Sequence, residues 1–120
     1  VIDGVDLVRL VRSEPQGRAH GALFWRSGHY RTILADDWKL QVSERPRKTW
    51  LFDMKADPTE RTNLADARPD KVQELSAILA IHESQMVLPT WPALIEAPIA
   101  IDHPLGVPDR PDDEFVYWAN

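Results

Sequence analysis

The pattern of apolar and polar positions divides the chain into three zones: a connector over residues 1–21, a periodic body over 22–86, and a tail over 87–120. The connector holds one apolar stretch, Val5 to Val11, and then Ser13-Glu14-Pro15-Gln16-Gly17, which reads as turn and loop. The tail contains six of the ten prolines and shows neither a helical nor a strand period, so it is expected to run extended over a surface.

The body opens with strand-like runs. Ala22-Leu23-Phe24-Trp25 is short and apolar, and Ser27-Gly28 breaks it. Tyr30 to Leu34 and Trp38 to Ser43 flank Ala35-Asp36-Asp37, which has the composition of a tight hairpin turn. With an even-length turn, Arg31 and Ile33 share a face with Trp38, Leu40 and Val42, while Thr32, Lys39 and Gln41 look the other way. That alternation predicts a half-buried antiparallel pair. A two-residue turn at Ala35-Asp36 would need positive φ, which Asp tolerates and Ala does not, so a longer loop stays open. Thr49 to Met54 predicts a further strand beyond a basic loop, Arg45-Pro46-Arg47-Lys48. The four strands are expected at Leu23–Arg26, Tyr30–Leu34, Trp38–Ser43 and Thr49–Asp53, in meander order.

One helix is expected from Pro69 to Met86. Pro69 suits a first helical turn, and Asp70 beside it complements the helix dipole. Val72, Leu75, Leu79, His82 and Met86 recur on one face at helical spacing, and Ile81 stands out of place on the polar side. Helix on sheet makes an α+β two-layer unit, followed by the extended Pro-rich tail. The segment Asp53 to Ala65 reads as the corner joining strand to helix. Asp57-Pro58 there opens a type I turn, Asn63 caps or terminates another, and Leu64 packs back as an anchor.

Charge and composition narrow the function classes. The net charge of −5 gives no basic patch for nucleic acid, and no apolar run is as long as a membrane span. Cysteine is absent, which removes disulfides, thiolate nucleophiles and Cys metal sites, and leaves the compartment undecided. The first residue, Val1, suits a processed chain or an excised fragment.

Few residues are candidates for chemistry. His82 lies in the apolar stripe, where a core histidine bonded to a carbonyl is the plainer reading. Asp102-His103 has the elements of a metal pair, but adjacent strand residues point to opposite sides and no third ligand is near in sequence, so ordinary loop polarity is expected. Asp36-Asp37 belongs to a turn and Asp112-Asp113-Glu114 to a solvated tail. No Gly-x-Ser-x-Gly, phosphate loop or His-Glu-x-x-His is present. No catalytic residue and no metal ligand is therefore assigned. The candidate binding residues are Arg26, His29 and Arg31, around Trp25-Arg26-Ser27-Gly28-His29, because they gather cations and an aromatic beside a glycine. Arg31 falls on the apolar face of its strand and is expected to have a specific acidic partner.

The stretch Leu51-Phe52-Asp53-Met54, Asp57-Pro58-Thr59-Glu60, Asn63-Leu64-Ala65 resembles the C-terminal subdomain of sulfatases, in the alkaline-phosphatase superfamily. Leu23-Phe24-Trp25-Arg26, Tyr30-Arg31 and Asp37-Trp38-Lys39-Leu40 look like the first strands of that subdomain, and Asp3-Gly4-Val5-Asp6-Leu7 like the connection into it. The tail ending Phe115-Val116-Tyr117-Trp118-Ala119-Asn120 is similar to tails of some bacterial arylsulfatase-like members. Ala35-Asp36 stands where the family hairpin usually has Asp-Gly.

The resemblance implies a four-stranded antiparallel sheet with a helix packed on it, leaning on an N-terminal catalytic domain of the same polypeptide. That domain would supply a formylglycine from a Cys/Ser-x-Pro-x-Arg motif, a divalent metal, usually calcium, and the groups around a sulfate-ester substrate. None of those roles falls on a residue of this chain. The fragment would scaffold the enzyme and rim its substrate cleft, and alone it would expose its interface and self-associate. Two alternatives stand beside this reading: a phosphodiesterase or phosphonate monoester hydrolase of the same superfamily, and a stand-alone interaction module without catalysis.

Overall fold

The computed structural model describes residues 4, 6–12, 20–87, 90–91, 93–101, 103–104 and 106–119. A short helix, α1 (Leu7–Arg12), lies in the connector, and Asp6 Oδ1 accepts the Val8 N–H at its start. Four strands follow: β1 (Ala22–Ser27), β2 (Tyr30–Ala35), β3 (Trp38–Glu44) and β4 (Arg47–Asp53). They form an antiparallel meander in the order β1-β2-β3-β4. The fold is α+β, as the alternation and the helical stripe together predict.

Each hairpin turn has two residues. Ala35 pairs with Trp38, so the turn is Asp36-Asp37 and not Ala35-Asp36. Asp36 takes the positive φ of 51° that an alanine would resist, and Ala35 stays in the strand. Gly28, at φ 53°, does the same between Ser27 and Tyr30. The third turn is Arg45-Pro46, because Glu44 pairs with Arg47. The basic loop is thus half the expected length, and Arg47 and Lys48 belong to β4.

The register places Phe24, Ile33, Leu40 and Leu51 side by side across one face of the sheet. Helix α2 (Pro69–Ser84) covers that face through Leu75 and Leu79, which are buried with Ile33, Ala35, Leu40 and Leu51. Burying each leucine contributes about 1.5–3 kcal/mol. The helix ends two residues before the expected Met86. Met86 is 56% exposed and therefore outside the buried stripe to which its spacing assigned it.

The opposite face is also covered, which makes three layers where two were expected. In the tail, β5 (Glu96–Ala100) and β6 (Phe115–Ala119) pair antiparallel as a separate ribbon. Val116 is buried with Trp50 and Phe52 of β4, and Tyr30 and Ile101 pack against them. The backbone tie is Tyr117 N–H to Arg45 C=O at 3.0 Å. The ribbon has no sequence period because Pro98 and the long β5–β6 connection interrupt it, but the cue lay in β4. Trp50-Leu51-Phe52 is apolar without alternation, the mark of a strand buried on both sides.

Candidate functional site

The corner after β4 combines backbone bonds, such as Asp57 N–H to Asp53 C=O at 2.7 Å, with a set of side chain to backbone bonds. Asp53 Oδ1 accepts from Lys55 N and Ala56 N at 3.0 and 3.1 Å, turning the chain. Asp57 then accepts from Thr59 Oγ1 and, at 2.8 Å, from Thr62 N. The Thr62 N–H bond is the main reason its carboxyl lies below the ordinary range. Asn63 closes the corner onto the sheet: Oδ1 accepts from Leu51 N (2.9 Å) and Ala65 N (3.0 Å), and Nδ2 donates to Thr49 C=O at 3.0 Å. With Leu64 N donating to Leu51 C=O, both backbone groups of Leu51 on the outer edge of β4 are satisfied. Beyond the corner, Arg68 and Asp70 clasp each other at the entry to α2, and the Arg68 bonds hold Asp70 at about 2.

The three sequence-predicted site residues lie near one another but do different things. Arg26 faces Arg31 across the β1–β2 ladder, and His29 is in the turn beyond them. Arg31 Nη1 donates to both oxygens of Glu83 on α2 (3.0 and 3.2 Å), and Nη2 donates to Glu44 Oε1 at 2.6 Å. The expected acidic partner is thus two partners. His29 Nε2 lies 3.1 Å from Glu96 Oε1, and its Nδ1 lies 3.7 Å from Glu44 Oε2. Arg45 joins Glu96 at 2.8 Å and stacks over Tyr117. A chain of polar contacts therefore runs from α2 through β2 and β3 to the tail ribbon. Arg31 and His29 are occupied in holding the three layers together.

Arg26 is exposed and lines two hollows. One, of about 190 Å³, lies between β1 and the end of α2, where His82 stacks flat on Phe24 at 3.9 Å. The other, of about 380 Å³, lies on the ribbon side among Trp25, Tyr30, Thr32, Lys39, Gln41 and Trp118. It adjoins a third hollow of about 360 Å³ beneath the ribbon, with Tyr30, Gln41 and Trp118 common to both. The result is an aromatic-lined groove with a polar floor. In the floor Lys39 Nζ contacts both Glu60 oxygens (2.6 and 2.8 Å), and Gln41 Nε2 donates to Glu60 Oε2. Glu60 reaches this position from a left-handed backbone at φ 57°. Burial raises the Tyr30 phenol, so it remains a protonated donor. Lys39 and Gln41 stand on the face that the alternation predicts, and Glu60 closes the Asp57-Pro58-Thr59-Glu60 motif, but sequence gives no sign that the three meet.

This groove can stack on rings and exchange hydrogen bonds with polar groups. The formylglycine implied by the resemblance has no residue here, since cysteine is absent and none of the five serines opens a Ser-x-Pro-x-Arg motif. Nor do the groove's carboxylates fit a calcium beside such a group, because Glu60 is already held by Lys39 and Gln41. No protein-family model matches the chain.

Proposed function

We propose that this chain is the C-terminal α+β unit of a sulfatase, a sulfuric ester hydrolase, and that it works by scaffolding and rimming a cleft whose chemistry lies elsewhere in the polypeptide. The observation that carries the reading is the uneven cover of β1. Ala22-Leu23-Phe24-Trp25 is apolar on both faces, like β4. Phe24 packs toward the core under α2, yet Leu23 and Trp25 are 41% and 51% exposed on the ribbon side. β1 is also the edge of the sheet that the corner does not cap, and it pairs with β2 alone among the described strands. An apolar edge strand left open is a template for another part of a protein. The corner supports the same reading, because the Asp, Asn and Leu side chains that carry the resemblance all act in joining sheet to helix. On this reading the N-terminal catalytic domain covers Leu23 and Trp25, and Arg26 with Trp25 meets the leaving group of the sulfate ester. Calcium and formylglycine belong to that domain.

The test is the full coding sequence followed by kinetics. A Cys/Ser-x-Pro-x-Arg motif is expected upstream, and its absence overturns the proposal. In the full-length enzyme Arg26→Ala should change kcat/KM unequally for small and bulky aryl sulfates at unchanged Tm. A uniform loss that follows a lowered Tm removes Arg26 from the rim.

A further inference from the structure

We infer that the connection between β5 and β6 is a binding site for a single zinc-class divalent ion, held by His103, Asp109 and Asp113. The three side chains are six and four residues apart in sequence, and one ligand atom from each lies within 4.8 Å of the other two. His103 Nε2 is 3.4 Å from Asp113 Oδ2 and 3.9 Å from Asp109 Oδ1. The backbone carbonyl of Pro108 is a further oxygen, at 3.3 Å from the same nitrogen. His103 is largely shielded, with its side chain 16% exposed, whereas Asp109 stands at the open side at 88%.

One long hydrogen bond, between His103 Nε2 and the Pro108 carbonyl at 3.3 Å, does not account for the two carboxylates beside it. Good N–H···O bonds measure about 2.7–3.2 Å, and all three separations are longer. A protonated Nε2 has one hydrogen for three oxygens, and an unprotonated one points its lone pair at oxygen lone pairs. A cation between them resolves both cases. With metal–ligand bonds of roughly 2.0–2.1 Å, tetrahedral geometry sets neighbouring ligand atoms about 3.3–3.4 Å apart, close to the 3.4 Å between His103 and Asp113 and shorter than the 3.9 Å between His103 and Asp109. One imidazole with oxygen donors and no thiolate suits zinc or a similar borderline ion. The most shielded carboxylate is also oriented: Asp113 Oδ2 accepts the Arg110 N–H at 2.7 Å, the kind of supporting bond that fixes a ligand. The ion would tie the ends of the connection together, close in sequence to Ile101, whose N–H bonds Glu114 C=O at 2.7 Å.

The experiment uses the whole chain, stripped of metal and titrated with Zn²⁺ and with Co²⁺. One equivalent of zinc is expected by calorimetry, with a raised Tm in zinc over chelator, and cobalt should give the strong visible band of a four-coordinate site. His103→Ala and Asp113→Asn should abolish the cobalt band. Asp109→Asn changes an exposed group, so it leaves folding intact and should weaken zinc by at least the roughly 10–100-fold that losing even a supporting partner costs. His20→Ala should leave binding unchanged. The proposal is overturned if no stoichiometric zinc binds, if Asp109→Asn and His103→Ala bind like the unaltered chain, or if calcium binds in preference to zinc.

Discussion

Single residues in this protein are placed by backbone need more than by chemistry. Asp36 and Glu60 take left-handed backbone, one to close a hairpin and the other to aim a carboxylate at Lys39. Asp57 organises the corner through Thr59 and Thr62, and its lowered pKa makes that role dependent on pH. A carboxyl depressed in the folded state contributes stability above its unfolded value of about 3.9, and that contribution is lost as pH falls through the lower folded value. Asp57→Ala should therefore be less stable than the unaltered chain at neutral pH. The gap should close as pH falls below about 4, followed by urea midpoints across the acid range. A gap that is constant with pH would mean that the carboxylate charge plays no part in the corner.

Among the elements, α2 depends on two leucines. It has no side chain N-cap, and Pro69 begins it. Isolated helices of this length are marginal in water, so packing has to supply the stability. Leu79 is 6% exposed against the sheet core. Leu79→Ala should cost about 2–5 kcal/mol in chemical denaturation, and a change under about 0.5 kcal/mol would show that the helix is held by something else. Ile81, 62% exposed on the outer side, takes no part in that packing. The charge relay of Glu83, Arg31 and Glu44 fastens the far end of the helix. Arg31 is only 21% exposed there and its Nε has no partner, so removing either carboxylate would leave more of a shielded cation unpaired.

At the scale of the whole molecule, the tail ribbon completes the body by filling the face that α2 leaves open. Val116 is its central contact, buried against Trp50 and Phe52. Val116→Asp should forfeit about 1.5–3 kcal/mol of apolar burial and put a carboxylate among aromatic rings. The expected result is a released ribbon, with red-shifted tryptophan fluorescence as Trp50 meets water and far-UV helix content unchanged. Fluorescence identical to that of the unaltered chain would mean that the ribbon does not depend on this contact. The same layer explains why Lys48 and Arg45, expected together in a basic loop, end in pairs with Glu114 and Glu96.

Much of the sheet and helix was legible in the chain itself. Period-two alternation set Ile33 and Leu40 on one face and Thr32, Lys39 and Gln41 on the other, since a slip of one residue would have reversed every side chain. Spacing at Leu75 and Leu79 identified the buried stripe, and the apolar setting of Arg31 required an acid. Local physics sufficed for these because neighbours in sequence carry the signal. The tertiary structure alone decided what lies against the second face, which carboxylates answer Arg31 and His29, and that Asp109 and Asp113 gather at His103. Glu96, Asp109 and Asp113 come from a tail with no period of its own, brought in by the burial of Val116 against Trp50 and Phe52, whereas Glu44 and Glu83 stand on β3 and α2 and meet Arg31 only through packing. The continuous apolar runs of β1 and β4 are the composition of strands covered on both faces, yet the expectation was of two layers. Only the fold showed that β4 has received that cover from the tail while Leu23 and Trp25 of β1 still face outward.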